Sequence, residues 1–143
     1  MTPPRISAEK TILVADDEEL IRLGREAVLK RNGYTVLLAV DGKEALDIFR
    51  AVNIERGQGE TRQQINLVVT DYRMPNMNGL TLAKNVWDLD PNMPIILATG
   101  EELQVLSMSA LQKKMRLPAI IKKPIREEHL LDLVHVACQN DGE

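Results

Sequence analysis

Apolar residues fall into five short unbroken runs separated by stretches of helical spacing. The runs are Ile12-Leu13-Val14-Ala15, Tyr34-Thr35-Val36-Leu37-Leu38, Leu67-Val68-Val69-Thr70, Ile95-Ile96-Leu97-Ala98 and Ala119-Ile120-Ile121. Short runs that are apolar at successive positions are what strands buried on both faces look like, because alternate side chains must feed two cores. Residues 18–31 instead place Ile21, Ala27 and Val28 among charges at three- and four-residue steps, and Asn32-Gly33 supplies a helix stop. A second helix opens at Asp41-Gly42, carries Ala45, Leu46, Ile48 and Phe49, and gives way near Asn53. A third begins at Asn78-Gly79 with Leu80, Leu82, Ala83 and Val86. Asp90-Pro91 ends it, since proline discourages helix at the residue before it. A fourth helix is expected over residues 101–114 and a fifth over 126–138. Strand and helix alternating five times predict a parallel sheet covered on both faces. The polar stretch 54–62, with Gly57 and Gly59, reads as an exposed loop or a frayed helical extension.

Composition adds boundaries rather than chemistry. At 143 residues the chain suits one domain, able to bury roughly two thirds of its unfolded surface. That domain is expected over residues 10–138, with tails at 1–9 and 139–143. Phe49, Trp87, Tyr34 and Tyr72 are the aromatic residues, so the core must be mostly aliphatic, and the six methionines read as gap fillers. Cys138 has no second cysteine to bridge to, which agrees with a reducing compartment. The net charge is −3 and no basic tract follows a nucleic-acid backbone, which argues against direct nucleic-acid binding. Met1-Thr2-Pro3-Pro4-Arg5 lacks the apolar stretch of a signal peptide and no run nears the roughly 18 apolar residues of a membrane span, so a cytoplasmic location without membrane insertion is expected.

Four of the five apolar runs end in residues that can handle a phosphoryl group. They run into Asp16-Asp17, Asp71, Thr99 and Lys122-Lys123-Pro124. In a parallel α/β sheet the carboxyl ends of the strands share one edge, and ligands bind in the crevice there. Three carboxylates, a hydroxyl and an ammonium would converge on it. Each has a structural explanation as well: Asp16-Asp17 could cap a helix, and Thr99 could be a β-branched strand residue. Asp71 is harder to explain that way, because a carboxylate at a buried strand end is costly without a partner. His129 and His135 fall on the fifth helix, away from this edge.

The pair Asp16-Asp17, the segment from Val69 through Asp71-Tyr72-Arg73-Met74-Pro75 to Gly79, the step Thr99-Gly100 and Lys123-Pro124 occur in the order seen in response-regulator receiver domains of two-component signalling. The chain resembles that family from Lys10 to about Ala137. The resemblance implies a flavodoxin-like doubly wound sheet of five parallel strands in order 2-1-3-4-5 with five helices, bringing Asp16, Asp17 and Asp71 together at the topological switch point. It implies that Asp71 is the phosphoacceptor, taking a phosphoryl group from a phosphohistidine and thereby switching partner binding. It implies Mg²⁺ held by Asp17, Asp71 and the backbone carbonyl of Arg73, with Asp16 acting directly or through water. That donor set suits a hard cation that keeps several waters. Without a cation, carboxylates about 4 Å apart would repel by about 4 kcal/mol at an effective dielectric near 20.

By the same resemblance Lys123 and Thr99 contact the phosphoryl group, and Arg73 and Glu101 tune its hydrolysis. Lys122 competes with Lys123, but alternation along a strand points neighbours to opposite faces, and Lys123 directly precedes the proline. The implied partners are a sensor histidine kinase or a histidine phosphotransfer protein, and a homodimer through helix 4, strand 5 and helix 5 is the assembly the family suggests. The module is not expected to be a turnover enzyme, although it would catalyse its own phosphorylation and slow dephosphorylation. Two other readings remain: a phosphorylation-independent interaction domain, and a phosphatase of the haloacid dehalogenase type, which expects an aspartate where Arg73 stands. The chain departs from the family pattern at Ile120, the switch position, where receivers commonly carry tyrosine or phenylalanine. The second crossover, through residues 54–66, is long. A stand-alone regulator and a receiver from a larger protein such as a hybrid kinase both fit.

Overall fold

The computed structural model describes residues 9–55 and 63–139. Strands β1 (Thr11–Ala15), β2 (Thr35–Ala39), β3 (Ile65–Asp71), β4 (Ile95–Thr99) and β5 (Ala119–Lys122) alternate with helices α1 (Glu19–Arg31), α2 (Gly42–Phe49), α3 (Gly79–Leu89), α4 (Leu103–Gln112) and α5 (Glu127–Gln139). The strands pair in parallel in the order β2-β1-β3-β4-β5. This is the expected flavodoxin-like topology, and β1 and β3 lie side by side with Ala15 opposite Thr70.

The unbroken apolar runs are explained by two cores. Leu13, Ala15 and Val68 point to the layer holding Leu46, Phe49, Leu82 and Val86 of α2 and α3. Their neighbours Ile12, Val14, Leu67 and Val69 point to the layer holding Leu29 of α1 and Leu130, Val134 and Cys138 of α5. A third, smaller cluster of Leu80, Leu97 and Leu106 seats α4, with Ile120 and Tyr72 packed against it.

The helix boundaries follow local chemistry. Gly33, at φ 93°, takes the left-handed turn that closes α1. The Asp41 side chain caps α2 by accepting from the Glu44 N–H at 2.8 Å, and the Glu44 carboxylate reaches back to accept from the Val40 N–H at 2.7 Å. Asn78 starts α3 by accepting from the Thr81 N–H at 2.9 Å. Helix α4 is shorter than the expected 101–114, because the Glu101 N–H is taken by the Thr99 hydroxyl at 2.9 Å and Lys114 turns out of the helix at φ 57°. Helix α5 lies one residue later than expected.

The long second crossover begins as a π-helical turn, Arg50–Ile54, continuing α2. The Asn53 amide then pairs with both the N–H and the carbonyl of Ile65, at 2.8 and 3.0 Å, fastening the turn to the start of β3. Residues 56–62 of the expected loop, and 1–8 and 140–143 of the expected tails, lie outside the described residues. Among the described residues no helix is long and apolar enough to cross a membrane.

Candidate functional site

The ends of β1 and β3 place three carboxylates together. Asp16 and Asp17 follow β1 and Asp71 closes β3, and one oxygen from each lies within 4.8 Å of the others. Asp16 is 1% exposed and Asp71 6%, whereas Asp17 is open to solvent. The backbone sets these positions closely: Gly79 donates its N–H to the Tyr72 carbonyl at 2.7 Å, and a Cβ on Gly79 would overlap the Asp71 carbonyl and stand 2.5 Å from Leu97 Cδ1. The start of α3 is thus packed directly on the strand end that carries Asp71.

Lys123 follows β5, and its backbone N–H donates to the Thr99 carbonyl at 2.9 Å. Its Nζ lies 2.6 Å from Asp71 Oδ1. The approach pairs the charges without hydrogen-bond geometry, so this buried oxygen accepts no hydrogen bond. Lys122 is exposed. Thr99 is buried at the end of β4, and Glu101, fixed by the Thr99 hydroxyl, forms an ion pair with Arg73 that spans the site from the β4–α4 connection to the β3–α3 connection. The Arg73 guanidinium also lies over the Tyr72 ring, 5.6 Å from its centroid. A hollow of about 370 Å³ lined by Asp17, Tyr72, Arg73 and Asn78 opens beside the acidic cluster.

Two groups escaped the sequence reading. The first is Arg25 of α1, whose Nη1 donates to Asp16 Oδ2 at 3.0 Å in an ion pair shielded from solvent. The Glu18 N–H donates to the other Asp16 oxygen at 2.9 Å. Burial pushes the Asp16 carboxyl above its ordinary range and the nearby Asp71 adds to this, while the Glu18 N–H, Arg25 and Lys123 pull it back. The second is Asn76, at φ 71° in the β3–α3 connection, which donates to Asp41 at 2.8 Å and ties this loop to the start of α2. Those two bonds, from the Glu44 N–H and then Asn76, hold the Asp41 carboxyl below its ordinary range. Ile120 is half-buried in the third cluster. His129 of α5 is exposed, and His135 of α5 lies 3.3 Å from the Tyr34 hydroxyl, outside this site.

The donor set fits Mg²⁺. It consists of oxygens alone, one of them a buried carboxylate oxygen with no hydrogen bond, and it leaves one ligand on the solvent side. A doubly wound α/β domain whose switch-point edge carries three carboxylates, a hydroxyl and an ammonium is thereby defined. Residues 12–135 match the family model of the response regulator receiver domain, and the chain belongs to that family of two-component signalling proteins. It is 33% identical over 104 residues to the alkaline phosphatase synthesis transcriptional regulatory protein SphR of Synechococcus elongatus, covering 73% of this chain and 40% of that protein. It is also 33% identical over 95 residues to the sensor kinase CckA of Brucella abortus, covering 66% of this chain and 9% of that protein. A receiver domain structure from Methanospirillum hungatei superposes with a TM-score of 0.76 at 26% identity, covering 93% of this chain and 96% of that one. The chain thus spans well under half of these curated relatives.

Proposed function

We propose that this receiver domain accepts a phosphoryl group on Asp71 from a phosphohistidine, in the presence of Mg²⁺, and that the aspartyl phosphate switches partner binding. The observation that carries this is the meeting of Asp16, Asp17 and Asp71 within 4.8 Å, with Lys123 Nζ 2.6 Å from an Asp71 oxygen that accepts no hydrogen bond. Asp17, Asp71 and the Arg73 backbone carbonyl would hold the ion, with Asp16 behind them. Bound there, Mg²⁺ supplies positive charge against the carboxylates and the phosphoryl oxygens.

An Asp71 oxygen attacks phosphorus as the P–N bond of the phosphoimidazole breaks, and the released imidazole nitrogen takes up a proton. Transfer of this kind passes through a loose transition state, so in-line placement and neutralisation of the equatorial oxygens carry most of the catalysis. Lys123 supplies a mobile positive charge already stationed at the acceptor and able to follow the new phosphate. The Thr99 hydroxyl, which otherwise holds the Glu101 N–H, can turn to the phosphoryl oxygen and so release the connection leading into α4. Arg73 and Glu101 cover the water's approach and set the lifetime of the phosphate.

The donor is a sensor histidine kinase or a histidine phosphotransfer protein, acting on the domain in the cytoplasm. Leu103, Met108 and Leu111 of α4 and Val136 of α5 are exposed apolar residues available to a downstream target or a second copy. Beryllofluoride is the direct test. With Mg²⁺ it should bind the wild-type domain at one equivalent and perturb Thr99 and residues 101–106; failure to bind at millimolar Mg²⁺ would remove the reading.

A further inference from the structure

We infer that Arg25 is a positioning residue that competes with the cation for Asp16 and so weakens the domain's affinity for Mg²⁺. This rests on the Mg²⁺ reading of the acidic cluster. Arg25 is 8% exposed, in mid-helix, on the stripe of α1 that carries Ile21, Val28 and Leu29. An arginine there gives up its hydration, which requires a fixed acceptor, and Asp16 is that acceptor. Both Asp16 side-chain oxygens are engaged from the α1 side, Oδ1 by the Glu18 N–H and Oδ2 by Arg25. The Arg22 guanidinium donates to the Asp16 carbonyl at 2.9 Å, leaving the carboxylate to Arg25.

Two consequences follow from charge and geometry. Arg25 and Lys123 together offset two of the three carboxylate charges, so the metal-free cluster is tolerable but attracts a cation less strongly. Asp16 is also turned toward Arg25, which favours contact with the ion through water and leaves Asp17 and Asp71 as the direct side-chain ligands. Two cations sharing one carboxylate are antagonistic, and the antagonism is reciprocal: what Arg25 takes from Mg²⁺ binding, Mg²⁺ takes from the stability that Arg25 contributes.

Calorimetric titration of Mg²⁺ into the wild type, Arg25→Met and Arg25→Lys tests this, with thermal unfolding followed with and without the ion. Arg25→Met should bind Mg²⁺ roughly tenfold more tightly than the wild type. Arg25→Lys, which keeps the charge, should stay near the wild-type Kd. Mg²⁺ should raise the Tm of Arg25→Met by more than it raises that of the wild type. Should Arg25→Met be too unstable to isolate, Arg25→Gln gives the same comparison with a polar neutral side chain. A neutral variant that unfolds cooperatively yet binds Mg²⁺ no more tightly than the wild type would overturn the role of Arg25 alone. A wild type that binds no Mg²⁺ at millimolar concentration would overturn the cation reading with it.

Discussion

Asp71 and Lys123 show how much a single side chain's surroundings decide. The Asp71 oxygen facing Lys123 is buried with a charge partner and no hydrogen bond, an arrangement a second cation can improve. Asp17→Ala removes one of the few proposed protein ligands, so Mg²⁺ affinity should fall by at least tenfold while the fold holds, since Asp17 is exposed; titration of the ion measures it. Arg73 and Glu101 are joined by an ion pair. Breaking their ion pair should speed aspartyl-phosphate hydrolysis by roughly two- to tenfold, and Arg73→Ala, Glu101→Ala and the double variant should agree, because residues in one contact are not additive. Additive effects in phosphate-release kinetics would show that the residues act separately. Asp41 gives a pH signature. Its carboxyl is held below the ordinary 3.8, so its contribution to stability is complete above that value and lost as pH falls through the lower folded value. The stability difference between wild type and Asp41→Asn should therefore be constant above about pH 5 and shrink below pH 3.8. The sequence made Asp16, Asp17, Asp71, Thr99 and Lys123 legible because each ends or follows an apolar run. Arg25 was hidden because a mid-helix arginine ordinarily reads as a solvated charge. Its one signal was its place at helical spacing from Ile21, Val28 and Leu29, where an apolar residue belongs.

The strands and helices were readable because the periodicity changes sharply between them, and their order follows from it. Boundaries were less so where a side chain overrides the pattern. The Thr99 hydroxyl delays the start of α4, and Asn53, where the sequence has the second helix give way, imitates a strand neighbour for Ile65. Gly79 links an element to the site. Its missing side chain lets α3 begin against the Asp71 carbonyl, so Gly79→Ala should cost about 1–3 kcal/mol in chemical denaturation and displace Asp71 enough to slow its phosphorylation. Normal phosphorylation in a destabilised Gly79→Ala would separate packing from acceptor geometry. Strand β5 carries Ile120 in place of an aromatic ring. Phosphorylation should therefore move Thr99 and residues 101–106 more than β5, as amide exchange with and without beryllofluoride can read. A response concentrated at Ile120 and residues 130–134 would contradict it. Because Ile120 is only half-buried, Ile120→Ala should cost about 1–2 kcal/mol, less than truncating a fully buried isoleucine.

As a whole, the molecule brings together residues more than a hundred positions apart because parallel strands all deliver their carboxyl ends to one edge. The fold guarantees proximity. The chemistry depends on what surrounds the oxygens once the fold is made, and Asp71 Oδ1 is buried there beside Lys123 Nζ without a hydrogen bond. The measurement that bears most directly on this is labelling by acetyl phosphate with Mg²⁺, followed by mapping of the modified residue. Phosphorylation at Asp71 alone, lost on chelation of the metal and abolished in Asp71→Asn, is the expected result. Labelling that persists in Asp71→Asn, or that proceeds equally well without a divalent cation, would contradict the assignment of Asp71 as a metal-assisted phosphoacceptor.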